Sequence, residues 1–149
     1  MPFQFAHRAR RPGTGLRVAR LPVLARAGPP AVHERLRHRL LAELWESGEP
    51  EDGSTADVIR TNDTGTHLFE ALHAEQPTYV DLREAATRTT EVRFALDRTI
   101  DRIFLVCAAA PVEPWAIEAI EGAFDVSVIW WGDGSWQGAE VHTVVPGRG

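Results

Sequence analysis

Apolar residues recur at every fourth position in AVHERLRHRLLAELWE, residues 31–46, and this spacing predicts the first helix of the chain. The apolar stripe consists of Val32, Leu36, Leu40 and Leu44, with Leu41 and Trp45 beside it. On a wheel of about 100° per residue, Glu43 falls at the margin of this stripe, between Val32 and Leu36. Glu43 is therefore the acid of this helix that we expect to point toward whatever the helix covers.

Two short strand-like runs follow, ADVIRT at residues 56–61 and THLFEAL at residues 66–72, and Asn62-Asp63-Thr64-Gly65 between them reads as a tight turn. In one register Asn62 pairs with Gly65, and Asp57 then lies opposite Glu70. A left-handed bulge at Gly65 would instead pair Asn62 with Thr66 and send the two acids to opposite faces. The sequence leaves both registers open.

The second half of the chain alternates helices and strands. A helical stripe covers residues 82–96, whereas residues 79–81 fit either extended chain or the start of that helix. The apolar run RIFLVCAAA, residues 102–110, is typical of a central strand covered on both faces. Residues 112–124 then predict a helix, and residues 125–131 and 136–145 predict strands. We expect an α/β fold with a mixed central β-sheet flanked by helices.

Length and charge divide the chain into an arm and a body. Its 149 residues suit one domain, which we place at residues 31–149, preceded by a basic N-terminal arm, residues 1–30, with an edge strand in GLRVARLPVL. Residues 1–39 carry nine arginines and one acid, whereas residues 40–149 carry seven arginines and 20 acids. The arm could meet the phosphates of a nucleic acid, or it could pack on the acidic body or on a partner.

Composition narrows the remaining chemistry. All 16 basic residues are arginine, so no lysine ammonium is present as a base or point charge. The one cysteine, Cys107, stands in an apolar run, which predicts a buried thiol, a reducing compartment and hence the cytoplasm. No apolar run approaches the length of a membrane span, so we expect no membrane partner. The six histidines show no zinc-like spacing with Cys107.

The order of a helix, a hairpin carrying Asp57 and then Glu70, a second helix, a buried strand, a helix and a closing strand resembles the PD-(D/E)XK nuclease superfamily. The resemblance covers roughly residues 31–131 and implies a restriction-endonuclease-like fold. It also implies phosphodiester hydrolysis on nucleic acid with Mg²⁺ as the cofactor. Asp57 and Glu70 would then be catalytic metal ligands, and Glu43 is the nearest match to the auxiliary acid of the first helix.

Two signature positions depart from the family pattern. Leu72 stands in the place of the lysine that assists the attacking water. The stretch LREAATRTTEVRFAL is similar to the helix that follows the site in nucleases related to exonuclease RecB, where a glutamine and a tyrosine face the metal; here Arg88 and Val92 hold those positions. We expect Arg88 to lie in the catalytic site and Arg83 to serve as a phosphate clamp. The nucleic acid contacts expected in the arm are Arg8, Arg10, Arg11 and Arg17.

Two functions therefore stay open. The chain could be a weak or atypical Mg²⁺-dependent phosphodiesterase, in which Asp57 and Glu70 converge on one pocket beneath the first helix. Alternatively, it could be a catalytically inactive nuclease-fold protein that serves as a nucleic-acid-binding or protein–protein assembly subunit, a homodimer included. The acidic body and the missing lysine favour the second function, and the presence of both acids favours the first.

Overall fold

The fold is seen in a computed structural model that describes residues 30–45, 51–52, 57–139 and 141. Within these ranges the chain forms three helices and one six-stranded sheet. In chain order the elements are α1 (Pro30–Trp45), β1 (Glu51–Asp52), β2 (Val58–Asn62), β3 (Gly65–Ala71), α2 (Tyr79–Ala95), β4 (Arg102–Cys107), α3 (Trp115–Ala123), β5 (Ser127–Gly132) and β6 (Ser135–Gln137).

The sheet is mixed, and its strands lie side by side in the order in which they occur along the chain. β1, β2 and β3 are joined in antiparallel fashion, β3, β4 and β5 are parallel, and β6 returns antiparallel to β5. Each parallel pair needs a crossover, and α2 and α3 supply the two crossovers. The predicted α/β class with a mixed sheet is confirmed.

Side chains alternate between two apolar layers, one on each face of the sheet. Phe69 and Phe104 pack with the Val32–Leu44 stripe of α1, on what we call the α1 face. Leu68 and Leu105 pack with the buried residues of α2 and α3, on the α2/α3 face. Because helices cover both faces, β4 is buried from Ile103 to Cys107, as its apolar run predicted.

Cys107 is fully buried at the end of β4, and this burial raises the pKa of its thiol. The thiol therefore stays protonated and packs as a small apolar group. The prediction of a buried structural cysteine is confirmed.

The hairpin takes the register that pairs Asn62 with Gly65 and Val58 with Phe69. Asp63 and Thr64 form the loop, and the Asn62 side chain accepts hydrogen bonds from the Thr64 amide at 2.9 Å and the Thr64 hydroxyl at 2.6 Å. Gly65 follows with φ of 127°, a backbone conformation open mainly to glycine. The bulged alternative is not formed.

The loop before α2 is held at both of its ends. A capping box closes the start of the helix: the Thr78 hydroxyl accepts from the Asp81 amide at 3.3 Å, and the Asp81 carboxylate accepts from the Thr78 amide at 2.8 Å. The chain therefore enters the helix directly at Tyr79, which decides the question left open for residues 79–81. At its other end, His73 stacks on His33 of α1.

Two predicted segments differ from the structure. Residues 51–52, expected in a loop, pair with Val58 and Ile59 as the short strand β1. The closing strand, expected over residues 136–145, ends at Gln137 because Gly138 has φ of 128° and lies against the backbone of Val128. The edge strand expected in GLRVARLPVL lies outside the described residues. No helix in the described ranges is long and apolar enough to cross a membrane.

We expect Gly65→Ala to lower the free energy of unfolding by about 1–3 kcal/mol, because an alanine would be strained at this φ and its Cβ would meet the Asp101 carboxylate. Gly122→Ala is the matched control, since that helical glycine has open space around its Cβ position. It should stabilise the protein by about 0.5–1 kcal/mol. Urea denaturation measures both changes, and equal effects of the two substitutions would contradict the assignment of strain to Gly65.

Candidate functional site

Asp57 lies just ahead of β2, and only 3% of its surface is exposed. Its Oδ2 accepts a hydrogen bond from the Ala71 amide at 2.8 Å, at the place where the β2–β3 ladder has already ended. Its Oδ1 lies 2.6 Å from Nε2 of His33, a buried residue in the first turns of α1. The carboxylate thus joins the end of the hairpin to the helix over the α1 face.

His33 is the residue of this site that the sequence analysis did not select. Its Nδ1 lies 3.3 Å from the Glu34 carboxylate, and its ring stacks on His73 at a centroid distance of 4.3 Å. Each ring nitrogen of His33 thus lies close to a carboxylate oxygen, Nε2 to that of Asp57 and Nδ1 to that of Glu34. The sequence did contain a signal for the burial of His33. It precedes Leu36, Leu40 and Leu44 by three, seven and eleven positions, which places it on the apolar stripe of the helix.

Glu70 belongs to the opposite side of the sheet. It lies on β3, is 3% exposed, and forms an ion pair with Arg88 of α2, which is also 3% exposed. Arg88, expected in the catalytic site, is thus the ion-pair partner of Glu70. Leu72 lies two residues further along the chain and packs in the apolar layer of the α2/α3 face.

The structure does not bring Asp57 and Glu70 into one pocket. Phe69 and Ala71 face α1, so the alternation of a strand turns Glu70 toward α2. Asp57 stands before the ladder, and its side chain is held by the Ala71 amide and by His33. The expectation that both carboxylates converge beneath the first helix is therefore corrected, although the register that placed them opposite each other holds.

The other expected site residues also lie apart. Glu43 follows His33 by ten residues on α1, which places the two about 15 Å apart along the helix axis, too far for Glu43 to share an ion with Asp57. Arg83 is exposed on α2 and has no contact with Glu70. Arg8, Arg10, Arg11 and Arg17 lie outside the described residues.

The side chains present do not fit a magnesium ion. Mg²⁺ requires about six oxygen ligands in octahedral geometry, usually including one or two carboxylates. Here Glu70 is engaged by Arg88, and Asp57 is engaged by His33 and Ala71. Across the described ranges, no group of three or more His, Cys, Asp or Glu side chains is placed to hold a metal ion.

A row of basic side chains crosses three strands on the α1 face. Arg60, His67 and Arg102 are register partners on β2, β3 and β4, and Arg60 and His67 are each only 1% exposed. Burial lowers the pKa of His67, and the positive charges of Arg60 and Arg102 lower it further. His67 is therefore held toward its neutral form in the folded protein.

The chain matches no protein-family model, and comparison with curated proteins and with solved structures found no significant match.

We expect Glu70→Gln to lower the free energy of unfolding by about 3–5 kcal/mol, because it removes the carboxylate charge that pairs with the buried Arg88 guanidinium. The double variant Glu70→Leu with Arg88→Met should lose less stability than Glu70→Gln, since it removes both charges of the pair. Glu84→Gln, an exposed site on the same helix, is the control and should stay within about 0.5 kcal/mol of wild type. Denaturant unfolding of the four proteins would contradict the ion pair if the Glu70 and Glu84 variants behaved alike.

We expect His67 to make the protein sensitive to mild acid. Its pKa is lower in the folded than in the unfolded state, so the unfolded chain binds more protons once the pH falls below about 6.5. Stability should therefore decrease as the pH falls through that value toward the lowered folded pKa. His67→Gln should remove part of this decrease, whereas His38→Gln, at an exposed site, should not. Melting temperatures between pH 7.5 and pH 5 give the comparison.

Proposed function

We propose that this chain is a non-catalytic protein with a restriction-endonuclease-like fold that serves as a binding or assembly subunit. The observation that carries the proposal is the buried ion pair between Glu70 and Arg88. In the family that the chain resembles, the acid at the Glu70 position faces a metal ion. Here it faces a guanidinium from the same chain.

The ion pair satisfies the charge that a metal would otherwise satisfy. A guanidinium stays protonated at all pH values relevant to proteins, so Arg88 neutralises Glu70 permanently. A cation approaching Glu70 would have to displace Arg88 and leave that charge buried without its partner, at a cost of several kcal/mol. Leu72 packs among apolar residues on the same face, so no ammonium is present there to position a water.

Asp57 supports the same proposal from the other face. A carboxylate that acts as a metal ligand needs free lone pairs directed at open space. Both Asp57 oxygens are engaged, one by the Ala71 amide and one by His33, and only 3% of the residue is exposed. These contacts are those of a residue that fixes α1 on the hairpin.

The order of elements supports the finer fold assignment. A helix, an antiparallel hairpin, a crossover helix and a parallel central strand follow one another here as in the arrangement that suggested the family. Helices also cover both faces of the sheet. The restriction-endonuclease-like fold remains part of the proposal.

The described surface favours a protein as the partner. Exposed acids there outnumber exposed arginines by ten to four. The acids are Glu34, Asp63, Glu75, Glu84, Glu91, Asp97, Asp101, Glu118, Asp125 and Asp133, and the arginines are Arg35, Arg83, Arg98 and Arg102. Such a surface repels the phosphates of a nucleic acid, so nucleic acid binding would depend on the arginine-rich arm.

A Mg²⁺-dependent phosphodiesterase is the second candidate, and the hairpin register is the observation that favours it. Val58 lies opposite Phe69, so Asp57 and Glu70 are the residues that directly adjoin the last pair of the ladder. An active enzyme would require Arg88 to leave Glu70 and the Asp57 side chain to leave His33. Hydrolysis would then require two buried side chains to change their positions first.

We expect no metal-dependent cleavage of plasmid, single-stranded DNA or RNA by the full chain with Mg²⁺ or Mn²⁺. The reason is that Arg88 and His33 hold the two carboxylates, so Asp57→Ala, Glu70→Ala and wild type should be indistinguishable at background level. Gel assays of cleavage, with calorimetric titration of Mg²⁺, provide the measurement. Cleavage by wild type that disappears in both variants would overturn the proposal and establish the enzyme.

A further inference from the structure

Three large apolar side chains are exposed together at the edge of the sheet where β3 and β4 end. Val80 at the start of α2 is 58% exposed, Val112 in the loop after β4 is 55% exposed, and Trp115 at the start of α3 is 57% exposed. In open α/β sheets, ligands commonly bind at this edge, outside the carboxyl ends of the parallel strands.

The segments that carry the three side chains are joined to one another, which places all three at the same edge of the sheet. The ring of Tyr79 lies 5.0 Å from that of Trp115, and the Val112 amide donates to the Pro77 carbonyl at 2.9 Å. The Tyr79 amide also donates to the Glu113 carboxylate at 2.9 Å. We call this surface, formed by Tyr79, Val80, Val112 and Trp115, the Trp115 patch.

Acids lie around the Trp115 patch. Glu84 follows Val80 by one helical turn, Glu118 follows Trp115 by three residues, and both are exposed. Glu75, which is exposed, precedes the patch in the loop after β3. A ligand that complements this surface combines apolar side chains with positive charges.

The chain contains one segment of that composition, residues 1–29. This segment has six arginines and no acid, and it also contains Leu16, Val18, Leu21, Val23 and Leu24. It joins the body at Pro30, the first residue of α1. The start of α1 lies beside the loop that leads to the patch, since His33 stacks on His73 at 4.3 Å and Arg35 lies 3.9 Å from Glu75. Each extended residue spans about 3.3 Å, so a few residues before Pro30 are long enough to reach from the start of α1 across that loop to the patch.

We propose that the Trp115 patch is the docking site of residues 1–29 of the same chain, because the aliphatic and arginine content of that segment complements the apolar side chains and the surrounding acids of the patch. Tethering makes the encounter intramolecular, with an effective concentration in the millimolar range for a short flexible link. An external partner that uses the patch then has to displace the segment. This docking involves neither Glu70 nor Asp57, so it is independent of whether the chain is catalytic.

The test is photo-crosslinking in the full-length chain, with benzoylphenylalanine introduced separately at positions 115, 80 and 94. Phe94 is the matched control, because it is 93% exposed on the same helix as Val80 but lies at the opposite end of that helix. Circular dichroism first verifies that each labelled chain is folded. Position 80 keeps the test decisive if a substitution at position 115 disturbs the fold.

We expect positions 115 and 80 to crosslink to peptides from residues 1–29 within monomers, and position 94 not to do so. The yield should fall in 1 M salt and in a chain with Arg8, Arg10, Arg11 and Arg17 changed to Gln, because the acids around the patch would lose their counter-charges. Crosslinks that occur only in covalent dimers would assign the patch to a second copy and overturn the intramolecular proposal. Absence of crosslinks to residues 1–29, or equal crosslinking from position 94, would also overturn it.

Discussion

A carboxylate buried in a sheet that helices cover on both faces must find its partners within the fold, since transferring an unpaired charge from water costs many kcal/mol. Glu70 and Asp57 meet this requirement in different ways. Glu70 takes a counter-charge from α2, and Asp57 takes a backbone amide and a histidine from α1. Each carboxylate thereby ties one helix to the hairpin, in addition to the apolar packing of that helix on the sheet.

The same two contacts separate the acids chemically. The sheet lies between them, because the partner of Glu70 belongs to the α2/α3 face and the helical partner of Asp57 to the α1 face. Two carboxylates act together on one ion or one water only when both reach the same small volume. In this fold each is committed to a separate structural contact, so the presence of an acid at both positions does not imply that the two act together in catalysis.

Hydrophobic periodicity predicted most of the helices and strands. A helix buried on one face has an apolar residue about every fourth position, as in α1, and a strand buried on both faces is a continuous apolar run, as in β4. It could not predict which way a polar side chain turns at the end of a strand. Asp57 sits one residue before the ladder begins, and its direction is set by the free amide of Ala71, which no sequence pattern reveals. His33 escaped selection because a single histidine on an apolar stripe has no characteristic spacing, although its place on that stripe indicated burial. The short strand β1 depends on pairing with residues 58 and 59, a tertiary interaction that local sequence does not encode.

The loop between β3 and α2 is anchored at both ends: His73 stacks on His33, the Pro77 carbonyl accepts from Val112, and Thr78 closes the capping box with Asp81. The turn between β5 and β6 is the opposite case, because Asp133 and Gly134 are exposed and the Cβ position of Gly134 meets nothing within 4 Å. A fluorescent tag or an affinity sequence would therefore be accommodated at the β5–β6 turn. Cutting the chain within residues 72–78 would instead break the contacts that this loop makes with α1 at His73, with the loop before α3 at Pro77 and with the start of α2 at Thr78.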